Sequence, residues 1–263
     1  MNAVDNPFSP GAGTQPPELA GRADVLSDVD VTLRRVRQGS TSRSAIFVGL
    51  RGVGKTVLLN RVVEMANENG FLTVFVEAHE DKSLPVLLLP HLRQLLVKLN
   101  SFERVSAVAR RALMVFKSFA STFKAKITLN DIGIELGLDS EAGSADSGDL
   151  EHDLGQLLVA VAEAAKDQNS YVCLLIDELQ YLSQQEMSAL IMGLHQVSQK
   201  NLPLVLYAAG LPLILGLVGR SKSYSERLFA FPKIGVLDEL SALRAIEVPT
   251  QAKGVSFTPQ AAR

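Results

Sequence analysis

The run Gly49-Leu50-Arg51-Gly52-Val53-Gly54-Lys55-Thr56 fills every fixed position of the pattern G-x-x-x-x-G-K-[ST]. Its flanks place it between a strand and a helix. The apolar run Ala45-Ile46-Phe47-Val48 precedes it, and beyond Val57 the residues Leu58, Leu59, Val62, Val63 and Ala66 fall on one helical face. Glycines at these positions let successive backbone N–H groups turn inward around a polyphosphate. Lys55 then reaches the β and γ oxygens, Thr56 offers a hydroxyl to Mg²⁺, and the following helix points its positive end at the anion. Gly49, Leu50, Arg51, Gly52, Val53, Gly54, Lys55, Thr56 and Val57 are therefore the expected phosphate-side residues. Arg51 either faces solvent or touches a neighbouring subunit, and the sequence leaves both readings open.

A second signal lies downstream. Tyr171–Ile176 is a continuous apolar run of the kind a strand covered on both faces requires, and it ends in Asp177-Glu178. After a phosphate loop, such an Asp completes the Mg²⁺ coordination begun by Thr56. The adjacent Glu178 is spaced to polarise a water attacking the γ-phosphate. Lys55 and Glu178 are thus candidate catalytic groups, Thr56 and Asp177 candidate metal ligands, and ATP with Mg²⁺ the expected cofactors. An N-K-x-D guanine reader does not occur.

Composition narrows the class. With 263 residues and 47% hydrophobic side chains, the chain has ample material for a buried core, which excludes global disorder. A formal net charge of -2 gives no general basic field toward nucleic acid or membrane. The one cysteine, Cys173, sits inside an apolar run and reads as a buried structural thiol in a reducing cytosol. No basic segment followed by an apolar one opens the chain, so a cytoplasmic location is expected. Leu202–Gly219 is uncharged and long enough to imitate a membrane span. Its Pro203, Gly210, Pro212, Gly216 and Gly219 fit a buried strand, a turn and a short helix instead. His79, His91, His152 and His195 share no metal-ligand spacing.

The remaining pattern predicts alternating strands and helices. A helix begins near Asp28, and strands cover Ala45–Gly49, Leu72–Val76, Tyr171–Ile176, Leu202–Ala209 and Phe231–Val236. Helices cover Val57–Asn69, ended by Gly70, and Ser83 to about Asn100 with Pro90 inside. Ser183-Gln184-Gln185-Glu186 is a capping box opening a helix to about Lys200. This order implies an α/β fold whose parallel sheet is covered by helices on both faces. An insertion at about 101–152 interrupts it. There Ala125, Ile127, Leu129, Ile132, Ile134 and Leu136 alternate about Asn130-Asp131 as in a β-hairpin. The same insertion carries Arg104, Arg110, Arg111, Lys117, Lys124 and Lys126 among Phe116, Phe119 and Phe123, followed by an acidic stretch from Asp131 to Asp153. Basic and aromatic residues so interleaved either follow a phosphate backbone or merely balance the acidic stretch.

Together these motifs resemble the AAA+ P-loop ATPases, and among them the bacterial ATPases related to origin-recognition-type initiators. Pro16-Pro17-Glu18-Leu19-Ala20-Gly21-Arg22 is similar to the family's adenine-holding segment, which adds Gly21 and Arg22 to the expected nucleotide contacts. Gly49–Thr56 and Ile176-Asp177-Glu178-Leu179-Gln180 correspond to its Walker A and Walker B motifs. Ser223-Tyr224-Ser225-Glu226-Arg227-Leu228-Phe229 resembles the stretch where a basic residue reaches a neighbour's γ-phosphate, which makes Arg227 a candidate catalytic group in trans. The resemblance implies a P-loop NTPase fold with an extended arm at 1–18, a nucleotide-binding domain at 19–236 and the start of a C-terminal helical lid at 237–263, the lid truncated or absent. It departs from the family at the end of the fourth strand, where Tyr207-Ala208-Ala209-Gly210 replaces the usual polar sensor. The partners implied are ATP, an unidentified protein and further copies of the chain, with DNA a further candidate and no membrane. The function expected is ATP hydrolysis that drives conformational change in a partner or assembly. A slow nucleotide-dependent regulatory switch or a DNA-associated initiator-like protein is the alternative.

Overall fold

The computed structural model describes residues 5–8, 16–100, 106–123, 143–222 and 225–262. Helix α1 (Ala23–Arg37) leads into β1 (Ser44–Val48), α2 (Lys55–Glu68) and β2 (Phe71–Glu77). Helices α3 (Leu84–Asn100), α4 (Ala107–Thr122) and α5 (Leu150–Asp167) separate β2 from β3 (Tyr171–Asp177). Then follow α6 (Gln184–Gln199), β4 (Leu204–Gly210), α7 (Ile214–Ser221), α8 (Ser225–Leu228), β5 (Phe229–Ala230), α9 (Glu239–Gln251) and α10 (Pro259–Ala262).

The strands form one sheet in the order β2-β3-β4-β1-β5, with every pairing parallel. Strand alternation sends side chains to two cores. Ile46, Val48, Leu174, Ile176, Leu206 and Ala208 join the larger core with α3 to α7. Ala45, Phe47, Cys173, Leu175, Val205 and Tyr207 join the smaller one under α1 and α2. Apolar residues at every strand position follow from this double coverage. The expected helix-covered P-loop NTPase fold is present, and the capping box at Ser183 and Glu186 forms in both directions. Gly70 ends α2 with φ +78°, as a residue without Cβ allows.

Two expectations change. Helix α1 begins at Ala23 rather than near Asp28, and its inner face already includes Val25 and Leu26, half-buried against the smaller core. The strand expected at Phe231–Val236 is confined to Phe229–Ala230. Pro232 lacks an N–H, so beyond Ala230 the chain keeps only irregular contact with β1: Val48 N donates to Pro232 O at 3.0 Å and Ile234 N to Val48 O at 2.8 Å. Within the insertion, α4 buries Phe116 and Phe119 completely in the larger core. The hairpin expected around Asn130-Asp131 lies outside the described residues.

Candidate nucleotide site

The phosphate loop leaves β1 through a tight passage. A Cβ at Gly49 would lie 2.2 Å from the Ile234 carbonyl oxygen, so only glycine fits there. Gly52 and Gly54 hold φ of +79° and +88°, which turns the loop into α2 without side-chain strain. Lys55 is only 6% exposed, and its Nζ donates to Leu50 O at 2.8 Å. Among the described residues no carboxylate lies in ion-pair range of it. A buried ammonium without a counter-charge, at the positive end of a helix, leaves a strong demand for an anion.

The opposing wall comes from β3, which the sheet order places one strand away from β1 across β4. Asp177 is 3% exposed; it accepts from Thr56 Oγ1 at 2.6 Å and from the Glu178 backbone N–H at 2.8 Å. The fold thus brings together the two residues expected to hold Mg²⁺. Glu178 takes a left-handed backbone, φ 51° and ψ 40°, as the chain turns from the strand into a short 3₁₀ turn at Leu179–Tyr181. Its carboxylate accepts from Gln180 Nε2, while Gln180 Oε1 accepts from Leu211 N at 3.1 Å. Gln180 was not singled out by sequence pattern, because its link to Leu211 spans the gap between two strand exits. Arg51 is exposed, and its guanidinium reaches the Tyr181 hydroxyl at 3.4 Å.

Beside the loop lies a cleft of about 480 Å³. Pro16, Leu19, Ala20 and Arg22 wall one side, Arg51, Gly52, Val53, Gly54 and Val57 the floor, and Gly235, Val236, Leu237 and Ala245 the other side. Arg22 fastens these parts: its guanidinium donates to Val53 O at 3.1 Å and to Gly235 O at 2.7 Å. Partial burial pulls the Arg22 guanidinium below its ordinary pKa. Gly21 does not line the cleft. It holds φ +67° against Ser241, whose Oγ would meet a Cβ there at 2.9 Å. The Gly235–Ala245 wall carried no sequence signal, since these residues act through position and backbone.

Other candidates are placed away from this site. Arg227 is exposed on α8, just before β5; Phe229 pairs with Ser44 at the start of β1, so Arg227 lies at the end of the sheet opposite the loop of its own chain. Cys173 is fully buried, which pushes its thiol pKa up and leaves it inert. Phe116 and Phe119 of the basic stretch are core residues, so they offer no stacking surface. Among the described residues, no group of His, Cys, Asp or Glu is arranged to hold a metal by itself, and no helix is long and apolar enough to cross a membrane.

A Gly-rich loop, a buried lysine and a Thr–Asp pair, gathered at the exits of β1 and β3 on either side of β4, define a nucleotide-binding P-loop ATPase of the AAA+ class. The family pattern described as AAA ATPase domain matches residues 18–207, and the chain belongs to that family. Among solved structures, the crystal structure of Cdc6p from Pyrobaculum aerophilum is similar at 14% identity with a TM-score of 0.53, over 97% of this chain and 55% of that one. ORC1 from Aeropyrum pernix, solved in complex with DNA, is similar at 13% identity with a TM-score of 0.48, over 93% of this chain and 52% of that one. The chain spans about half the length of these structures. No curated protein matches it.

Proposed function

We propose that this chain binds ATP with Mg²⁺ and hydrolyses it, using the cycle to move a protein partner or an assembly of its own copies. The observation that carries this reading is the buried Lys55 ammonium, held only by the Leu50 carbonyl and facing no carboxylate among the described residues. Triphosphate supplies the missing negative charge. The Thr56 hydroxyl and Asp177 carboxylate form a hard oxygen donor pair that suits Mg²⁺. When bound, Mg²⁺ neutralises charge on the phosphate oxygens. The protein's own part is to orient the phosphates with the Gly49–Thr56 backbone and Lys55, and to accept a proton from water at the Glu178 carboxylate. The cleft between Leu19 and Leu237 takes the base, and α9 acts as the first helix of a lid beside it.

Titration of nucleotide-free protein with Mg²⁺-ATP tests the binding step. Lys55→Ala removes a charge-assisted contact of about 1.5–3 kcal/mol, so affinity should fall roughly ten- to a hundredfold. Unchanged affinity in a folded variant removes the assignment.

Arg227, remote from its own loop and without an ion-pair partner among the described residues, acts in this reading on the γ-phosphate of a neighbouring copy. Specific activity should then rise with protein concentration, and Arg227→Ala should abolish the rise. Activity independent of both leaves Arg227 a surface residue.

A further inference from the structure

Strand β4 runs beside both site-bearing strands, β1 and β3, yet ends in Ala208, Ala209 and Gly210, which carry no polar side chain toward the phosphates. Gln180 occupies the space at that exit. Its Oε1 lies 3.2 Å from where a Cβ on Gly210 would stand, so the glycine leaves room for it. Both ends of the carboxamide are engaged: Nε2 donates to the Glu178 carboxylate and Oε1 accepts from the Leu211 backbone N–H. Leu211 opens the turn into α7, with Ile214 N bonded to Leu211 O at 2.9 Å.

From this bridge we infer that Gln180 is a positioning residue, fastening the Glu178 carboxylate to the β4 exit and supplying from the β3 side the polar link that β4 itself lacks. The inference deepens the hydrolytic reading above and rests on it for its kinetic part. A carboxamide is suited to the task because it donates to an anion at one end and accepts from an amide at the other; no other uncharged side chain of that length does both in a plane. A carboxylate in a left-handed strand exit has several rotamers open to it, and a donor fixed to the neighbouring strand selects one. Changes at the γ-phosphate position would reach the head of α7 through the same two hydrogen bonds.

Two substitutions separate the two halves of the bridge. Gln180→Leu removes both bonds; Gln180→Glu keeps an acceptor for Leu211 N–H but faces Glu178 with a like charge. In nucleotide-free protein, hydrogen exchange at the Leu211 amide should accelerate roughly tenfold in Gln180→Leu, the scale of one net hydrogen bond, and stay near wild type in Gln180→Glu. Glu178→Ala, which never touches Leu211, should also accelerate that amide by freeing the Gln180 carboxamide. In steady state, both Gln180 variants should lower kcat roughly ten- to a hundredfold, the cost of a misplaced reacting group, while ATP affinity stays near wild type. Leu211 exchange unchanged in Gln180→Leu, or kcat of Gln180→Glu equal to wild type, overturns the inference. Failure of the hydrolytic reading looks different: wild-type protein shows no turnover, and the amide responses still decide whether the bridge couples the two exits.

Discussion

Behind the phosphate loop, Gly49, Lys55 and Asp177 sit in packed backbone with almost no solvent contact, whereas the cleft beside it is walled by loosely held residues such as Val236, which is 87% exposed. The first region is assembled at the carboxyl ends of two strands whose register the sheet fixes. The second joins Pro16–Arg22 to Gly235–Ala245, segments from opposite ends of the described chain, through the Arg22 hydrogen bonds and an exposed Arg244–Glu18 pair at 3.9 Å. Under the proposed function, the contrast matches the demands of each half. Phosphate and metal chemistry needs charge held in place out of water, since electrostatic positioning is worth most where reorganisation is least. A base needs only an apolar slot that can open and close.

The largest effect should come from the packed half. Glu178→Gln keeps size and one acceptor oxygen for the Gln180 carboxamide but cannot take a proton. ATP binding should persist while single-turnover hydrolysis slows about 10²–10⁴-fold, the scale of a positioned base. Equal rates in wild type and variant would remove Glu178 from the mechanism and erase much of the contrast.

Next in size is a paired glycine test. Gly49→Ala drives a methyl onto the Ile234 carbonyl, a backbone atom that a side-chain adjustment cannot move aside. Unfolding in denaturant should show a loss of about 1–3 kcal/mol. Gly235→Ala, on the cleft side, meets no atom within 4 Å, and should stay within about 0.5 kcal/mol of wild type. Similar losses at both glycines would mean the cleft wall is as closely packed as the phosphate loop.

The smallest effect belongs to Arg22→Ala. Its two bonds to Val53 and Gly235 carbonyls are partly solvated, so their loss should weaken ATP by about 1 kcal/mol, roughly fivefold, by loosening the base side. Inorganic triphosphate, which has no base, should bind the variant as it binds wild type. If triphosphate weakens equally, Arg22 supports the phosphate loop rather than the cleft.

Which parts were legible beforehand follows the same division. Gly49–Thr56 and Asp177-Glu178 could be read because each packs its chemistry into consecutive residues beside an apolar strand. Strand β5 was misplaced because apolar content favoured Phe231–Val236, while the missing N–H of Pro232 decided the pairing. The aromatic side chains of α4 were read with their basic neighbours, as following a phosphate backbone or balancing the acidic stretch, and only the burial of Phe116 and Phe119 shows that they belong to the core. Gln180 was read only as the last residue of the Ile176–Gln180 motif, without a role of its own, because its bond to Leu211 joins segments distant in sequence.

Local sequence by itself determined the phosphate loop, the acidic strand exit and the α/β class, because each depends on backbone conformation and short-range periodicity over a few residues. Tertiary structure alone decided that Thr56 would bond Asp177, that Gln180 would bridge Glu178 to Leu211, and that Arg22 would hold the cleft's two walls together. Those contacts link residues whose nearness is set by the strand order β2-β3-β4-β1-β5, and that order is fixed by burying both sheet faces at once rather than by any single segment.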